Sequence, residues 1–223
     1  MTSFERRLAA NATFAFFVAL VVGLGAAPSA SATPILQGGT DDPATSLGRD
    51  YMQGYDFTPS TDLLLRALGF WDNGSDGLPR AFQVGLWETG SQTLLGSAMI
   101  DNGDPIDGSL VVNGGSWRYE TLVSAVALTS GVQYTIAFQV GSVDLSNGDS
   151  LAVDPASLST LADVTVSTAV RFLATSSFAF PTGTGSASFR ANANAQVVPE
   201  PTTVLLLATG LAGLAAVGRR RRS

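Results

Sequence analysis

Two short acidic segments carry the carboxylates that could bind a metal ion. The first is Asp72-Asn-Gly-Ser-Asp-Gly77, and the second contains Asp101 and Asp104. The first segment resembles the opening half of a calcium loop, although Gly74 stands where the third ligand position needs an oxygen and no glutamate follows at the twelfth. Asp, Asn and Gly are also ordinary turn residues. Two interpretations stay open: plain turns, or a calcium site formed by Asp72, Asp76, Asp101 and Asp104.

Three tryptophans are the second candidate for binding chemistry. Trp87 has the opposite strand parity from Phe82 and Leu86, which predicts that it faces solvent. An exposed indole is a flat apolar plate on which a sugar ring stacks, and Trp71 and Trp117 could join such a surface. Aspartates near the plate would hydrogen-bond sugar hydroxyls. The alternative is that all three side chains are buried, as large aromatics usually are in sandwich cores.

The composition removes most catalytic chemistry. The chain of 223 residues has no His and no Cys, and its 12 Lys and Arg residues are all Arg. A His-activated nucleophile, a Schiff-base lysine, a thiolate nucleophile, a disulfide and a His/Cys zinc site therefore cannot be built. A carboxylate pair for glycoside hydrolysis would need Glu88, Glu120 or aspartates that mostly lie in turn contexts. We expect a protein that is not an enzyme and has no cofactor apart from the calcium considered above.

Charge is distributed unevenly along the chain. Arg6 and Arg7 lie near one end, and a second arginine cluster lies near the other. The stretch 33–198 keeps six Arg against 16 acidic residues, a net charge of −10. Such a segment repels phosphate backbones, so nucleic acid is not an expected partner. The basic residues are better explained as membrane signals.

Residues 1–32 have the organisation of a signal peptide. The arginine pair precedes the apolar run 14–24, and Ala30 and Ala32 place small side chains at the two positions that a signal peptidase recognises. We expect export and cleavage before Thr33. The alternatives are an uncleaved membrane anchor, a buried core helix and a twin-arginine export route.

Three elements follow one another at the other end. Pro199-Glu200-Pro201 precedes the uncharged run 202–218, which is followed by Arg219, Arg220, Arg221 and Arg222. At 1.5 Å per residue a helix over this run would be roughly 25 Å long, just enough to cross a hydrocarbon core with help from snorkelling arginines. Arginines stay on the cytoplasmic side, so the transmembrane helix would hold the body outside.

Residues 198–223 resemble the PEP-CTERM sorting signal of Gram-negative envelope and exopolysaccharide-associated proteins. The resemblance implies that Pro199, Glu200 and Pro201 are recognised by an exosortase, a membrane transpeptidase-like enzyme. Cleavage near the motif would then convert a precursor anchored in the inner membrane into a protein of the cell envelope or the extracellular space. The alternative is a plain tail anchor that is never cut.

The region between these signals is predicted to be all-β. Glycine and proline punctuate it about every 8 to 12 residues, and the segments between them have strand-like lengths and alternation. We expect two antiparallel sheets packed as a jelly-roll-like β-sandwich over 33–175, flanked by the signal helix and the transmembrane helix. Residues 176–197 are rich in Ser, Gly, Asn and Ala, which predicts a flexible stalk.

Residues 48–141 also resemble a β-sandwich domain of unknown function found in exported bacterial proteins. The motifs Leu68-Gly-Phe-Trp-Asp72 and Val84-Gly-Leu-Trp87 contribute to this resemblance. It implies a fold and a compartment but no chemistry. The sequence therefore predicts an exported envelope or matrix protein without catalytic activity, and the alternative is an exopolysaccharide-binding module assisted by calcium.

Overall fold

The computed structural model confirms the all-β prediction. It describes residues 32–39, 41–42, 50–106, 115–141, 152–153, 158–185 and 193–199. Within these ranges every regular element is a β-strand, apart from one 3-10 turn at Asn73–Ser75. No helix in this part of the chain is long and apolar enough to cross a membrane. The predicted signal helix and transmembrane helix lie outside the described residues.

The strands are numbered in chain order. They are β1 (Thr33–Pro34), β2 (Leu36–Gly38), β3 (Asp41–Asp42), β4 (Tyr51–Pro59), β5 (Leu63–Asp72), β6 (Phe82–Glu88), β7 (Thr93–Ile100), β8 (Ser116–Leu128), β9 (Tyr134–Val140), β10 (Ala152–Val153), β11 (Leu158–Thr160), β12 (Val164–Ala174), β13 (Gly183–Gly185) and β14 (Ala193–Pro199).

Two antiparallel sheets contain most of these strands. A four-stranded sheet has the order β1-β14-β5-β8, and a six-stranded sheet has the order β13-β12-β4-β9-β6-β7. The pairs β10-β3 and β11-β2 are separate two-stranded sheets. Every pairing is antiparallel, as predicted.

Aromatic side chains pack the two sheets against each other. Phe70 of the four-stranded sheet stacks on Phe82 of the six-stranded sheet, with ring centroids 4.3 Å apart, and meets Phe138 edge-on at 5.2 Å. All three are buried, and burying such a side chain is worth about 1.5–3 kcal/mol. This is the arrangement of a β-sandwich, with its main core between the sheets.

A second apolar cluster covers the outer face of the six-stranded sheet. Met52, Trp87, Ala137 and Phe180 are buried together there, and Phe178 packs against them. The two phenylalanines belong to the segment 175–181, which follows β12 and which we call the strap. The side chain of Gln139 donates a hydrogen bond to the carbonyl of Ser176 at 2.6 Å. The sheet therefore buries apolar side chains on both faces.

The prediction of a flexible stalk at 176–197 is wrong for two parts of that range. The strap packs on the six-stranded sheet, and β14 lies between β1 and β5 in the other sheet. Asn194 and Ala195 are completely buried, and Val197 is 1% exposed. The small side chains that are typical of a linker here belong to a strand that packs closely against its neighbours.

We expect Gly85→Ala to destabilise the domain. A Cβ at this position would lie 2.5 Å from Cη2 of Trp87 and 2.6 Å from Cζ of Phe178. Overpacking of this kind typically costs about 1–3 kcal/mol. The control is Gly90→Ala, because a Cβ there would meet nothing within 4 Å. Thermal unfolding compares both variants with the parent, and an unchanged Tm for Gly85→Ala would contradict the packing of the strap.

Candidate functional site

The three tryptophans predicted to form a sugar-binding plate are all buried. Trp71 and Trp117 are completely buried, and Trp87 is 3% exposed. Trp71 and Trp117 face each other across β5 and β8, with ring centroids 5.2 Å apart and planes at 70°. The indole N–H of Trp117 donates to the carbonyl of Gly38 at 3.0 Å. These contacts support the core interpretation for both residues.

The prediction that Trp87 faces solvent is wrong. Strand parity does predict its face, because Phe82, Val84 and Leu86 point into the main core while Trp87 belongs to the second cluster. The strap covers that side, and the ring of Phe178 lies 5.2 Å from the indole. Strand parity predicts which face a side chain occupies but not whether another segment covers the face.

Asp72, the first predicted calcium ligand, is completely buried and paired with an arginine. Nε and Nη2 of Arg118 each lie 2.7 Å from its Oδ2 atom. Its other oxygen accepts a hydrogen bond from the backbone N–H of Gly77 at 3.2 Å. A buried charge needs such a partner, because desolvation is costly without one.

The same arginine joins the two acidic segments. Nη1 of Arg118 donates to the backbone carbonyls of Asn102 and Asp104, at 3.2 and 3.3 Å. The segments are therefore neighbours, as a shared ligand site would require. The protein's own guanidinium occupies the space between them and balances the charge of Asp72.

The remaining predicted ligands have other roles. One carboxylate oxygen of Asp101 accepts from the N–H of Gly103 at 2.6 Å, and one of Asp104 accepts from the N–H of Asp101 at 2.7 Å. These are turn hydrogen bonds, and Asp76 is exposed. Within the described ranges, no group of three or more acidic side chains is placed to hold a metal ion.

Two carboxyl groups, those of Glu120 on β8 and Asp104, are in contact at this end of the sandwich. The side-chain hydrogen bond with Asp104 raises the pKa of Glu120, and desolvation and the negative charges of Asp104 and Asp101 raise the pKa further. Two carboxyl groups can share a hydrogen bond only when one of them carries a proton. Loss of that proton therefore leaves a repulsive pair at this end of the sandwich.

Sequence reasoning missed a second ion pair, which is largely buried and lies under the strap. Nε and Nη2 of Arg171 lie 2.9 and 2.7 Å from the carboxylate oxygens of Asp56, and the hydroxyl of Thr135 donates to the same carboxylate at 2.7 Å. The guanidinium also lies 5.5 Å from the ring centroid of Phe180. The available signal was a charged residue within the otherwise apolar segment Tyr55-Asp-Phe57.

The sorting segment begins inside the fold. Pro199 is paired with Leu63 of β5, and Val197 is paired with Leu65 on one side and with Thr33 of β1 on the other. The start of the predicted mature chain is therefore beside the start of the predicted sorting signal. Ala32 is exposed, whereas Ala30, Glu200, Pro201 and the arginines Arg219 to Arg222 lie outside the described residues.

Asn194 ties β14 to the amino-terminal segment. Its amide nitrogen donates to the carbonyl of Leu36 at 2.7 Å and to the hydroxyl of Tyr119 at 3.0 Å. Its amide oxygen accepts from the N–H of Leu36 at 3.0 Å. Every one of these bonds is buried, so β14 and the chain around Leu36 hold each other in place.

Three turns surround the point where β14 ends, at 60–62, 129–131 and 161–163. We call this surface the exit end. The N–H of Ser60 donates to the carbonyl of Asp163 at 2.8 Å, and the hydroxyl of Ser130 donates to the carbonyl of Ser60 at 2.7 Å. The N–H of Ser130 donates to the carboxylate of Asp62 at 2.8 Å. The turns are thus joined into one surface.

The comparison with protein families identifies the carboxyl-terminal segment. Residues 197–222 match the family model of the PEP-CTERM protein-sorting motif. The chain therefore carries this sorting motif, as its sequence predicted, and the motif implies export and processing of a membrane-anchored precursor by an exosortase. Comparison with curated proteins finds no match.

We expect Asp72→Asn to destabilise the domain by about 3–5 kcal/mol, because it leaves the buried guanidinium of Arg118 without a counter-charge. The control is Asp76→Asn, an exposed change expected to stay within about 0.5 kcal/mol of the parent. Denaturant unfolding in chelator and in millimolar calcium measures both. A loss that occurs only in calcium would instead assign Asp72 to a metal site.

We expect Glu120→Gln to raise Tm at neutral pH. Because the pKa of Glu120 is raised in the folded state, its contribution to stability is present in acid and is lost as pH rises through that pKa. Glutamine keeps a hydrogen-bonding side chain without the charge, so the gain should disappear near pH 4. Glu88→Gln removes one negative charge elsewhere and is the control. A gain that is equal at both pH values would contradict the assignment.

Proposed function

We propose that this protein is an exported, non-enzymatic β-sandwich protein that an exosortase sorts to the cell envelope or the extracellular matrix. The observation that carries the proposal is the sorting motif at 197–222, which begins within β14. The body is the cargo of this sorting reaction. Its expected partners before processing are a signal peptidase, the inner membrane and the exosortase.

The finer architecture of the precursor belongs to the same proposal. Residues 1–32 form a signal helix that is removed before Thr33, and residues 202–218 form a transmembrane helix stopped by the arginine cluster. The body between them is jelly-roll-like. For the body, the proposal is supported by the two antiparallel sheets, which pack together through Phe70 and Phe82.

The roles of the carboxylates support a body without catalytic activity. Asp56 and Asp72 are occupied by Arg171 and Arg118, and the carboxylate of Asp101 accepts a hydrogen bond from the backbone N–H of Gly103 in its own turn. A chain without His, Lys and Cys depends on free carboxylates for acid and base chemistry. These three carboxylates are engaged in structural contacts and are not free for such chemistry.

Exopolysaccharide binding loses the support that sequence provided for it. The plate required Trp87, Trp71 and Trp117 at the surface, and all three are buried. Sugar stacking needs an accessible aromatic face. Burial of these side chains favours the structural role of the body over its role as a carbohydrate-binding module.

We expect the double variant Glu200→Ala/Pro201→Ala to be exported and folded but not processed. Both changes lie beyond β14, so the sheet keeps Pro199. The uncut precursor should accumulate in the inner membrane, because the apolar run and its arginines are intact. Cell fractionation and intact-mass measurement detect it.

A chain that stops at Pro201 is the matched control for anchoring. It retains every strand but lacks the run 202–218 and the arginine cluster, so it should be released as a soluble body. Processing of the double variant at the parental rate would show that another protease replaces the exosortase, and a parent chain that is never cut would show a plain tail anchor.

A further inference from the structure

Very little chain separates the folded domain from the predicted membrane span. β14 ends at Pro199 and the uncharged run begins at Thr202, so only Glu200 and Pro201 lie between them. An extended chain advances at most about 3.6 Å per residue, which limits this connection to roughly 11 Å. While the span is in the membrane, the exit end must therefore lie at the membrane surface.

Releasing β14 from its sheet would lengthen this connection, but only at a large cost in the free energy of folding. The strand is hydrogen-bonded along β5 on one side and to β1 on the other. Ala195 and Val197 are buried in the main core, and Asn194 is held by its buried hydrogen bonds to Leu36 and Tyr119. Lengthening the connection would remove a central strand from its sheet, so the geometry holds as long as the domain is folded.

The other predicted processing site lies at the same end. Thr33 is paired with Val197 in an antiparallel ladder, and neighbouring strands are about 4.8 Å apart. Ala32 and the start of the sorting motif are therefore close together. Both predicted processing sites thus adjoin the exit end.

The composition of the exit end favours a protein partner over a lipid surface. Its turns, at 60–62, 129–131 and 161–163, contain Ser, Thr, Gly and Ala, a partly buried leucine that packs on the core, and two charged residues, Asp62 and Asp163. Anionic headgroups attract Lys and Arg and repel such carboxylates. The hydrogen bonds through Ser60 and Ser130 make this surface a fixed shape that another protein can recognise.

We propose that the exit end is the surface on which the exosortase docks, and that the enzyme cuts C-terminal to Pro199 while β14 stays in the sheet. This inference rests on the proposed function. The carbonyl carbon of the broken peptide bond passes to water or to the amine of a new anchor. The peptide nitrogen takes up the proton that this nucleophile loses and leaves with the membrane span.

A pair of charged and bulky substitutions at the exit end tests the docking. Thr61 and Ala162 are exposed in its turns, and we replace both with arginine in the full-length chain. The matched control is Ala174→Arg/Ser177→Arg, which alters an exposed alanine and an exposed hydroxyl residue at the opposite end of β12. Pulse-chase measurement in cells that contain the exosortase gives the processing rate, and thermal melts verify folding.

We expect Thr61→Arg/Ala162→Arg to be processed about fivefold more slowly or worse, as for a disrupted interface, and the control to match the parent. If the double variant does not fold, Thr61→Arg alone takes its place. The intact mass of the processed parent should show a final residue at Pro199 or beyond.

Three results would overturn the inference. Parental processing rates for the exit-end variant would remove the docking surface. Faster processing, together with stronger binding of the variant to phosphatidylglycerol vesicles, would assign this surface to lipid. A processed chain that ends before Pro199 would show that β14 is not retained. A separate result would overturn the proposed function and the docking with it. This result is a processing rate of the parent chain that is the same in cells with and without the exosortase.

Discussion

The position of β14 is the constraint on which the rest of the structure depends. This strand completes the four-stranded sheet between β1 and β5, yet it is the last strand of the described chain and its end belongs to the sorting motif. The sheet therefore cannot close until the residues just before the predicted membrane span are present. Asn194 extends the constraint to the amino-terminal segment of the body, because it fixes the backbone around Leu36.

Two arginines allow an acidic body without disulfides to bury charge. Arg118 pairs with Asp72 and also bonds the carbonyls of the neighbouring turn, so it fixes the end of the sandwich opposite β14's exit. Arg171 pairs with Asp56 under the strap and lies against Phe180. Each arginine joins segments that are far apart in sequence. Removing one partner of such a pair is costly because the other charge stays buried.

Local alternation predicted much of the fold, whereas long-range pairing was beyond the sequence. Phe82, Val84 and Leu86 share the buried face that their parity indicated. The cover over Trp87 comes from the strap, and the partner of Asp72 lies 46 residues away on another strand. Strand register decides such contacts, and periodicity carries no information about register between distant strands. The small residues of β14 suit close packing as well as flexibility, so composition alone predicts a stalk where the structure has a strand.

A strand shared by the body and its sorting signal connects folding with recognition. In a folded precursor, the pairing of Pro199 with Leu63 fixes the point from which Glu200 and Pro201 leave the domain. An unfolded body contains the same motif but has neither this fixed point nor the joined turns beside it. If the exosortase requires docking at the exit end, it distinguishes folded from unfolded bodies with no additional sensor. The short connection that limits access to the motif would then also make access depend on the fold.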